Sequence, residues 1–152
     1  MVRASLNLGG IANITVVGAG EPIAYDVGPA NALIDAAVGH VTRGRLLYDE
    51  GGAIAARGRV RSDLLEVLLA DPYYSQPPPK TTGKELFHLP YLLDAASRVG
   101  DVADDDLVAT ATALTAVTVA NACRSHGVEE VLAAGGGVQN PTLMAMLASE
   151  LG

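Results

Sequence analysis

The sequence predicts an α/β fold whose sheet opens with an antiparallel meander. Short apolar runs separated by glycine-rich turns begin the chain, and a long helical pattern, one more apolar run and a last helical pattern end it. The composition agrees, because 49% of the residues are hydrophobic but only 4% are aromatic, so small aliphatic side chains must fill the core. With 152 residues, the chain is long enough to bury one core.

The opening runs predict three strands, over residues 4–8, 11–17 and 22–25. Gly9 and Gly10 can turn the first strand back into the second as a tight hairpin. A second glycine-rich stretch, VVGAGEP, separates the second strand from the third. A later apolar run, VEEVLAAGG, predicts one further short strand.

Helical periodicity predicts six helices, over residues 30–38, 52–57, 62–71, 85–97, 105–125 and 141–151. Gly28 and Pro29 are typical of a turn with proline in the first helical turn, so they should precede the first helix. Gly39 should end that helix. Asn140 is predicted to cap the last helix, which has Pro141 at its first position.

Residues 42–98 are predicted to form an inserted region of loops and helices. Within it, residues 73–85 (YYSQPPPKTTGKE) should be a loop, because three consecutive prolines exclude regular structure. At the end of this loop, Thr82 and Glu85 fit a capping box, in which threonine caps the next helix and glutamate reaches back to the threonine N–H. Pro90 is a point at which that helix can break.

Charge and cysteine usage exclude several classes of function. A net charge of −7 argues against a basic nucleic-acid interface. The single cysteine, Cys123, excludes an intrachain disulfide framework and should be a small buried hydrophobe. The longest uncharged run, residues 107–123, is interrupted by threonines, so it is a poor membrane span and a good buried helix. We expect a cytoplasmic protein without a membrane partner.

Two glycine-rich stretches carry the functional information, LNLGGIANIT at residues 6–15 and LAAGGGVQNP at residues 132–141. Because glycine has no Cβ, phosphate or sugar atoms can approach its backbone closely. The glycines of the second stretch lie between a predicted strand and a predicted helix, a common place for a nucleotide. Either stretch alone is most often only a turn, but the two together favour a nucleotide site.

Five stretches, in order, resemble the anhydro-N-acetylmuramic acid kinases: LNLGGIANIT, YDVGPANALID, YDEGGAIAARGRV, LLADPYYSQPPPKTTGKELF and LAAGGGVQNPTLM. The resemblance covers nearly the whole chain. Those enzymes cleave the 1,6-anhydro ring of the sugar with water while phosphorylating its 6-oxygen from ATP, in cell-wall recycling. The implied fold is a ribonuclease H-like (actin-like ATPase) lobe with a mixed sheet and the order βββαβαβα, as in the actin, hexokinase and sugar-kinase superfamily.

The resemblance implies four groups of site residues: for the ATP phosphates Gly9, Gly10 and Asn13; for the mouth of the cleft Asp26, Gly28 and Asn31; for the amino sugar Lys80, Thr82 and Glu85; and for adenosine Gly135, Gly136, Gly137 and Asn140. ATP and Mg²⁺ are the implied cofactors, with the metal held through phosphates and water. Asp26 can hold that water, orient a substrate hydroxyl, or bond to the backbone that follows it. For Thr82 and Glu85, the capping box is favoured and sugar contact is a second role.

We find no counterpart in the chain to the family's first lobe, with its SGTS-type phosphate loop and water-activating aspartate. The last strand and helix of the lobe are also expected beyond Gly152. We therefore expect residues 1–152 to be a single C-terminal lobe of a two-lobe phosphotransferase, incomplete at its C-terminal end, without a catalytic residue and inactive alone. Two interpretations stay open: a non-catalytic nucleotide-binding or homodimer-forming module, and a lobe of another actin-like sugar kinase.

Overall fold

The computed structural model describes all residues from Met1 to Gly152. Its strands are β1 (Arg3–Leu8), β2 (Ile11–Val17), β3 (Ile23–Pro29) and β4 (Glu130–Ala134). Its helices are α1 (Asn31–Val41), α2 (Ala53–Arg57), α3 (Ser62–Leu69), α4 (Leu89–Val99), α5 (Asp104–Ser125) and α6 (Pro141–Leu151). Short 3₁₀ turns lie at Glu50–Gly52, Pro72–Ser75 and Gly136–Gln139.

The strands form one mixed sheet in the order β3-β2-β1-β4. β1, β2 and β3 make the predicted antiparallel meander, and β4 pairs in parallel with β1. Along β1, Ala4, Leu6 and Leu8 are buried and the residues between them are exposed, so one face of the sheet carries the core and the other is open. The sheet has four strands, so the fifth strand of a βββαβαβα order has no counterpart within residues 1–152.

The core lies between the covered face of the sheet and α5, in which 14 of 22 residues are buried. The buried threonines of α5 use their hydroxyls within the fold: Thr112 donates one turn back at 2.8 Å, and Thr115 donates to Pro29 O of β3 at 2.8 Å. By length and composition α5 could cross a membrane, but 78% of its most apolar window is buried in this fold. Cys123 is buried, as predicted.

The start of the first helix differs from the prediction. Gly28 and Pro29 are the last residues of β3, and α1 begins at Asn31. Proline is tolerated in β3 because this strand lies at an edge of the sheet. Gly39 does not end α1, which continues to Val41. A single glycine near the end of a helix costs only about 1 kcal/mol relative to alanine, and the other contacts of α1 offset it.

The helix predicted over residues 85–97 begins at Leu89 instead. Pro90 lies in its first turn, where the missing N–H has no partner to lose. A helix that started at Glu85 would place the proline ring against a carbonyl of the preceding turn, which excludes the longer helix. The capping-box prediction is therefore wrong, since neither Thr82 nor Glu85 lies at a helix start.

An aromatic cluster closes the proline-rich loop. The ring centroid of the buried Phe87 lies 5.5 Å from that of Tyr73, 5.6 Å from that of Tyr74 and 5.0 Å from that of Tyr91. The hydroxyl oxygens of Tyr74 and Tyr91 are 3.0 Å apart, and the Tyr91 hydroxyl donates to a carbonyl of α3 at 2.7 Å. The two ends of residues 75–86 are thus held together against α3 and α4.

Truncating the centre of this cluster should destabilise the whole fold. We expect Phe87→Ala to lower the free energy of unfolding by about 3–5 kcal/mol, because it leaves a cavity among three tyrosine rings. Urea unfolding followed by circular dichroism measures the change. Leu86→Ala is the matched control, since the neighbouring Leu86 is 47% exposed. Equal losses in the two variants would contradict a central role for Phe87.

Candidate functional site

The turn between β1 and β2 has its carbonyl groups on one side and its N–H groups on the other. Gly10 O accepts the N–H groups of Ala30 and Ala32, and Gly9 O accepts that of Asn31, each at 3.0 Å. The C=O and N–H of a planar trans peptide point in opposite directions, so the Gly10 N–H points away from α1. Neither glycine N–H finds an acceptor within the chain. The turn therefore presents free donors to its surroundings, as an anion requires.

The fold of the chain does not itself require glycine at this turn. Neither Gly9 nor Gly10 has a positive φ. A Cβ on Gly9 would lie 3.6 Å from its nearest atom and one on Gly10 3.5 Å, which is ordinary contact. Glycine instead leaves the outer side of the turn open. Asn13 lies farther along β2, on the open face of the sheet, opposite Asn7 of β1.

The three glycines after β4 differ in what surrounds them. Gly135 has a φ of 90°, and a Cβ on it would lie 2.5 Å from Asn7 Oδ1. A Cβ on Gly137 would lie 2.6 Å from the side chain of the leucine that ends β1. Both glycines are therefore required for the close approach of this turn to β1. A Cβ on Gly136 would meet only Asn31 Nδ2, at 3.5 Å, so Gly136 borders open space.

Gly136 opens onto a pocket of about 420 Å³ between α1, the turn before α2 and the turn before α6. Asn31 joins this pocket to the hairpin, because its N–H donates to Gly9 O at 3.0 Å and its side-chain Nδ2 donates to Leu8 O at 2.9 Å. The lining residues are Asn31, Ile34, Asp35, Tyr48, Asp49, Glu50, Gly51, Gly136, Gln139 and Asn140.

The turn before α2 is a part of the site that sequence reasoning missed. The Asp49 carboxylate accepts two N–H groups at the start of α2, at 2.8 and 3.0 Å. Gly52, with a φ of 65°, packs on the start of α6, where the Thr142 hydroxyl donates to its carbonyl at 2.7 Å. Asn140 caps α6 as predicted, accepting the Leu143 N–H at 3.1 Å. In the sequence, Gly51 and Gly52 directly before a helical pattern were the feature that could have predicted this turn.

Asp26 binds the two ends of the proline-rich loop with three of its groups. Its N–H donates to Lys80 O at 3.0 Å, and its carbonyl accepts the Tyr73 hydroxyl at 2.6 Å. Its carboxylate Oδ2 accepts the Thr82 N–H at 3.0 Å. The alternative in which this carboxylate bonds to the backbone that follows it is therefore wrong. The second oxygen, Oδ1, accepts no hydrogen bond within the chain.

The predicted sugar-site residues differ in the contacts that they make within the chain. The Lys80 ammonium donates to Tyr73 O at 2.9 Å and lies 4.7 Å from the centroid of the Tyr73 ring. These contacts engage the lysine with the loop, and burial lowers its pKa. Thr82 uses its backbone N–H on Asp26, and Glu85 is exposed with its carboxylate against Gly83.

Close packing explains why glycine occupies position 28. A Cβ on Gly28 would lie 3.0 Å from Cε1 of Tyr74, so this glycine lets the aromatic cluster approach β3. Of the residues predicted at the mouth of the cleft, Asn31 lines the pocket beside Gly136, whereas Asp26 and Gly28 lie in β3 and contact Thr82 and Tyr74 of the proline-rich loop. The structure thus separates the predicted cleft residues into two clusters.

Comparison with known sequences decides the family. The family model described as anhydro-N-acetylmuramic acid kinase matches residues 1–152. The chain belongs to the anhydro-N-acetylmuramic acid kinase family. The resemblance read from its motifs is thereby confirmed.

Curated relatives in this kinase family match nearly all of the chain. An anhydro-N-acetylmuramic acid kinase of Streptomyces coelicolor is 60% identical over 151 residues, covering 99% of this chain and 39% of the relative. One of Rhodococcus erythropolis is 54% identical, covering 97% of this chain and 39% of the relative. The chain therefore spans about 39% of the length of the curated relatives that it matches.

A solved structure shares the fold. The activator of the 2-hydroxyisocaproyl-CoA dehydratase from Clostridium difficile, solved with bound ADPNP, matches with a TM-score of 0.57 over 98% of this chain and 51% of its own. Because the sequences are 15% identical, the likeness concerns the fold alone. It agrees with the actin-like ATPase type of fold predicted for this kinase-family chain.

In this kinase-family chain, a polar row on the open face of the sheet joins the two clusters. Asn7 pairs with Asn13, and Asn13 pairs with Asp26, across β1, β2 and β3. Neighbouring strands lie about 4.8 Å apart. The row therefore leads from the glycine turns to the proline-rich loop, which Asp26 contacts. Asn7 was not among the predicted site residues, although its place between two buried positions of β1 already put it on the open face.

The hydrogen bond between Asp26 and the loop can be tested by mutation. Asp26→Ala should lower the free energy of unfolding by about 1 kcal/mol and speed hydrogen exchange at the Thr82 N–H, because the acceptor is lost. Thr82→Ala is the control, since it keeps the backbone N–H that makes the contact. Hydrogen exchange by NMR reports both. A Thr82→Ala loss as large as that of Asp26→Ala would show that the threonine side chain matters after all.

Proposed function

We propose that residues 1–152 are the nucleotide- and sugar-binding lobe of an ATP-dependent kinase. The intact enzyme opens the 1,6-anhydro ring of anhydro-N-acetylmuramic acid and phosphorylates its 6-oxygen. The observation that carries the proposal is the Gly9-Gly10 hairpin, whose carbonyls are bound by α1 and whose N–H groups have no acceptor within the chain. Asn31 joins this hairpin to the pocket at Gly136. Outward N–H groups suit phosphate oxygens, and about 420 Å³ accommodates a nucleoside.

The open face of the sheet supports a sugar site at the other end of the polar row. A cavity of about 300 Å³ lies there, lined in part by Asn13, Asp26, Lys80 and Thr81. A phosphoryl group held at the glycine turn and a hydroxyl held near Asp26 would then lie over the same face. Phosphoryl transfer is mostly a matter of positioning and electrostatic stabilisation, so two binding sites fixed on one rigid sheet are what this reaction needs.

Mg²⁺ fits the same face by its ligand chemistry. This ion takes oxygen ligands and keeps several waters, and Asp26 Oδ1 is a carboxylate oxygen without a hydrogen bond in the chain. Asp26 would hold the ion through water while the nucleotide phosphates bind it directly. The ion would supply charge neutralisation on the transferred group.

The assignment to a lobe concerns the intact enzyme, because the chain spans about 39% of its curated relatives. We assign no catalytic residue to residues 1–152, and we propose that the water-activating group lies outside them. A cytoplasmic location and a homodimer stay predictions.

The isolated chain should therefore show no kinase activity. Purified residues 1–152 are incubated with ATP, Mg²⁺ and anhydro-N-acetylmuramic acid, and the 6-phosphate is sought by mass spectrometry. We expect no product above background, since catalysis needs nucleotide, water-activating group and sugar in one place. A full-length relative serves as the positive control. Turnover by the purified chain would overturn the proposal that the water-activating group lies outside residues 1–152.

Gly136→Val should abolish the binding of ATP and ADP. Its side chain would project into the pocket, whereas the fold has room for it, since the nearest atom to a Cβ there is at 3.5 Å. Gly39→Val is the matched control, because a Cβ on Gly39 meets nothing within 4 Å and this residue does not line the pocket. Calorimetry measures affinity, and circular dichroism confirms folding. Equal affinity in the two folded variants would contradict the nucleotide site.

A further inference from the structure

The pocket at Gly136 is acidic, and two of its carboxylates have no partner. Asp35, Asp49 and Glu50 line it, and no lysine or arginine does. Asp49 uses both oxygens on N–H groups at the start of α2. None of the ion pairs in the chain includes Asp35 or Glu50. Asp35 lies on α1, half-buried, and burial raises its pKa without an offsetting hydrogen bond.

Unpaired carboxylates in a pocket select ligands that donate hydrogen bonds. Ionised carboxylates only accept, so hydroxyl or amino groups suit them and a phosphate group is repelled. The acidic pocket therefore disfavours the phosphates, and the N–H groups of the hairpin turn are the better place for them. This fixes the direction of a bound nucleotide, with its nucleoside end in the pocket.

The position of Asp35 indicates which hydrogen-bond donor of a bound nucleotide lies near its carboxylate. Asp35 follows Asn31 by one turn of α1, a rise of about 6 Å along the helix, and Asn31 itself is bonded to the hairpin. The ribose is the part of a nucleotide joined directly to the phosphates, whereas the amino group of adenine lies on the far side of the base. A carboxylate one helical turn from the phosphate turn is therefore placed for ribose hydroxyls.

We propose that Asp35, with Glu50 on a second wall of the pocket, accepts hydrogen bonds from the ribose hydroxyls and makes this site selective for ribonucleotides over 2′-deoxyribonucleotides. Tyr48, which also lines the pocket, offers its ring to the base. The inference rests on the proposed function, since it assumes that the pocket takes a nucleoside. It adds the residues that recognise the sugar of the nucleotide, none of which lies in the glycine motifs.

Binding of adenosine and 2′-deoxyadenosine to residues 1–152 tests the proposal without phosphates or catalysis. NMR titration of the wild-type chain should show adenosine binding about tenfold tighter, as expected for one hydrogen bond to a charged group. Asp35→Ala should bring adenosine down to the affinity of the deoxynucleoside and leave the latter unchanged. Asp35→Asn keeps the side-chain shape and a weaker acceptor, so an intermediate preference is expected. Alanine is favourable within a helix, so folding should be retained.

Glu21→Ala is the matched control, because this exposed carboxylate lies in the turn between β2 and β3, at the opposite end of the sheet from the hairpin. It should leave both affinities unchanged. Equal wild-type affinities for the two nucleosides, or a preference that survives Asp35→Ala, would overturn the role of Asp35 while leaving the nucleotide site intact. Failure of the wild-type chain to bind adenosine, ADP or ATP at all would instead overturn the proposed function, and this inference with it.

Discussion

The constraint on which the site depends is the set of hydrogen bonds between the β1–β2 hairpin and the start of α1. Three N–H groups that a helix leaves without partners in its first turn are used on the carbonyls of Gly9 and Gly10, at 3.0 Å each. The same contacts set where α1 begins, turn the hairpin N–H groups outward and bring Asn31 beside Gly136. One set of bonds thus satisfies the helix end, fixes the orientation of the hairpin and builds a wall of the pocket.

Features set by local chemistry were predictable from the sequence. The Gly9-Gly10 hairpin and the Asn140 cap of α6 each depend on residues within a few positions of one another, and both are confirmed. The end of β3 was not predicted, because turn propensity at Gly28 and Pro29 suggested a break where pairing with β2 continues the strand. Tertiary context overrode a local preference there.

Two further misses involve partners that are distant in sequence. Asp26 and Thr82 are 56 positions apart, so no spacing rule predicts their hydrogen bond. The residues around Thr82 also match the capping-box pattern, which predicted a different role for this threonine. The place of Asp35 in the pocket was not predictable for a similar reason. On a helical period it reads as an ordinary polar residue of α1, and only the approach of the Tyr48–Gly51 turn makes it part of a pocket.

The way this chain would hold phosphates follows from its charge. With a net charge of −7, long-range attraction of an anion is unfavourable. Lys80, which lines the cavity on the open face, has its ammonium on the carbonyl of Tyr73. Under the proposed function, binding would come from short-range donors of fixed direction, which are the backbone N–H groups of the hairpin. Such donors act only where the phosphate touches them, so the rigid attachment of the hairpin to α1 determines whether the site can work at all.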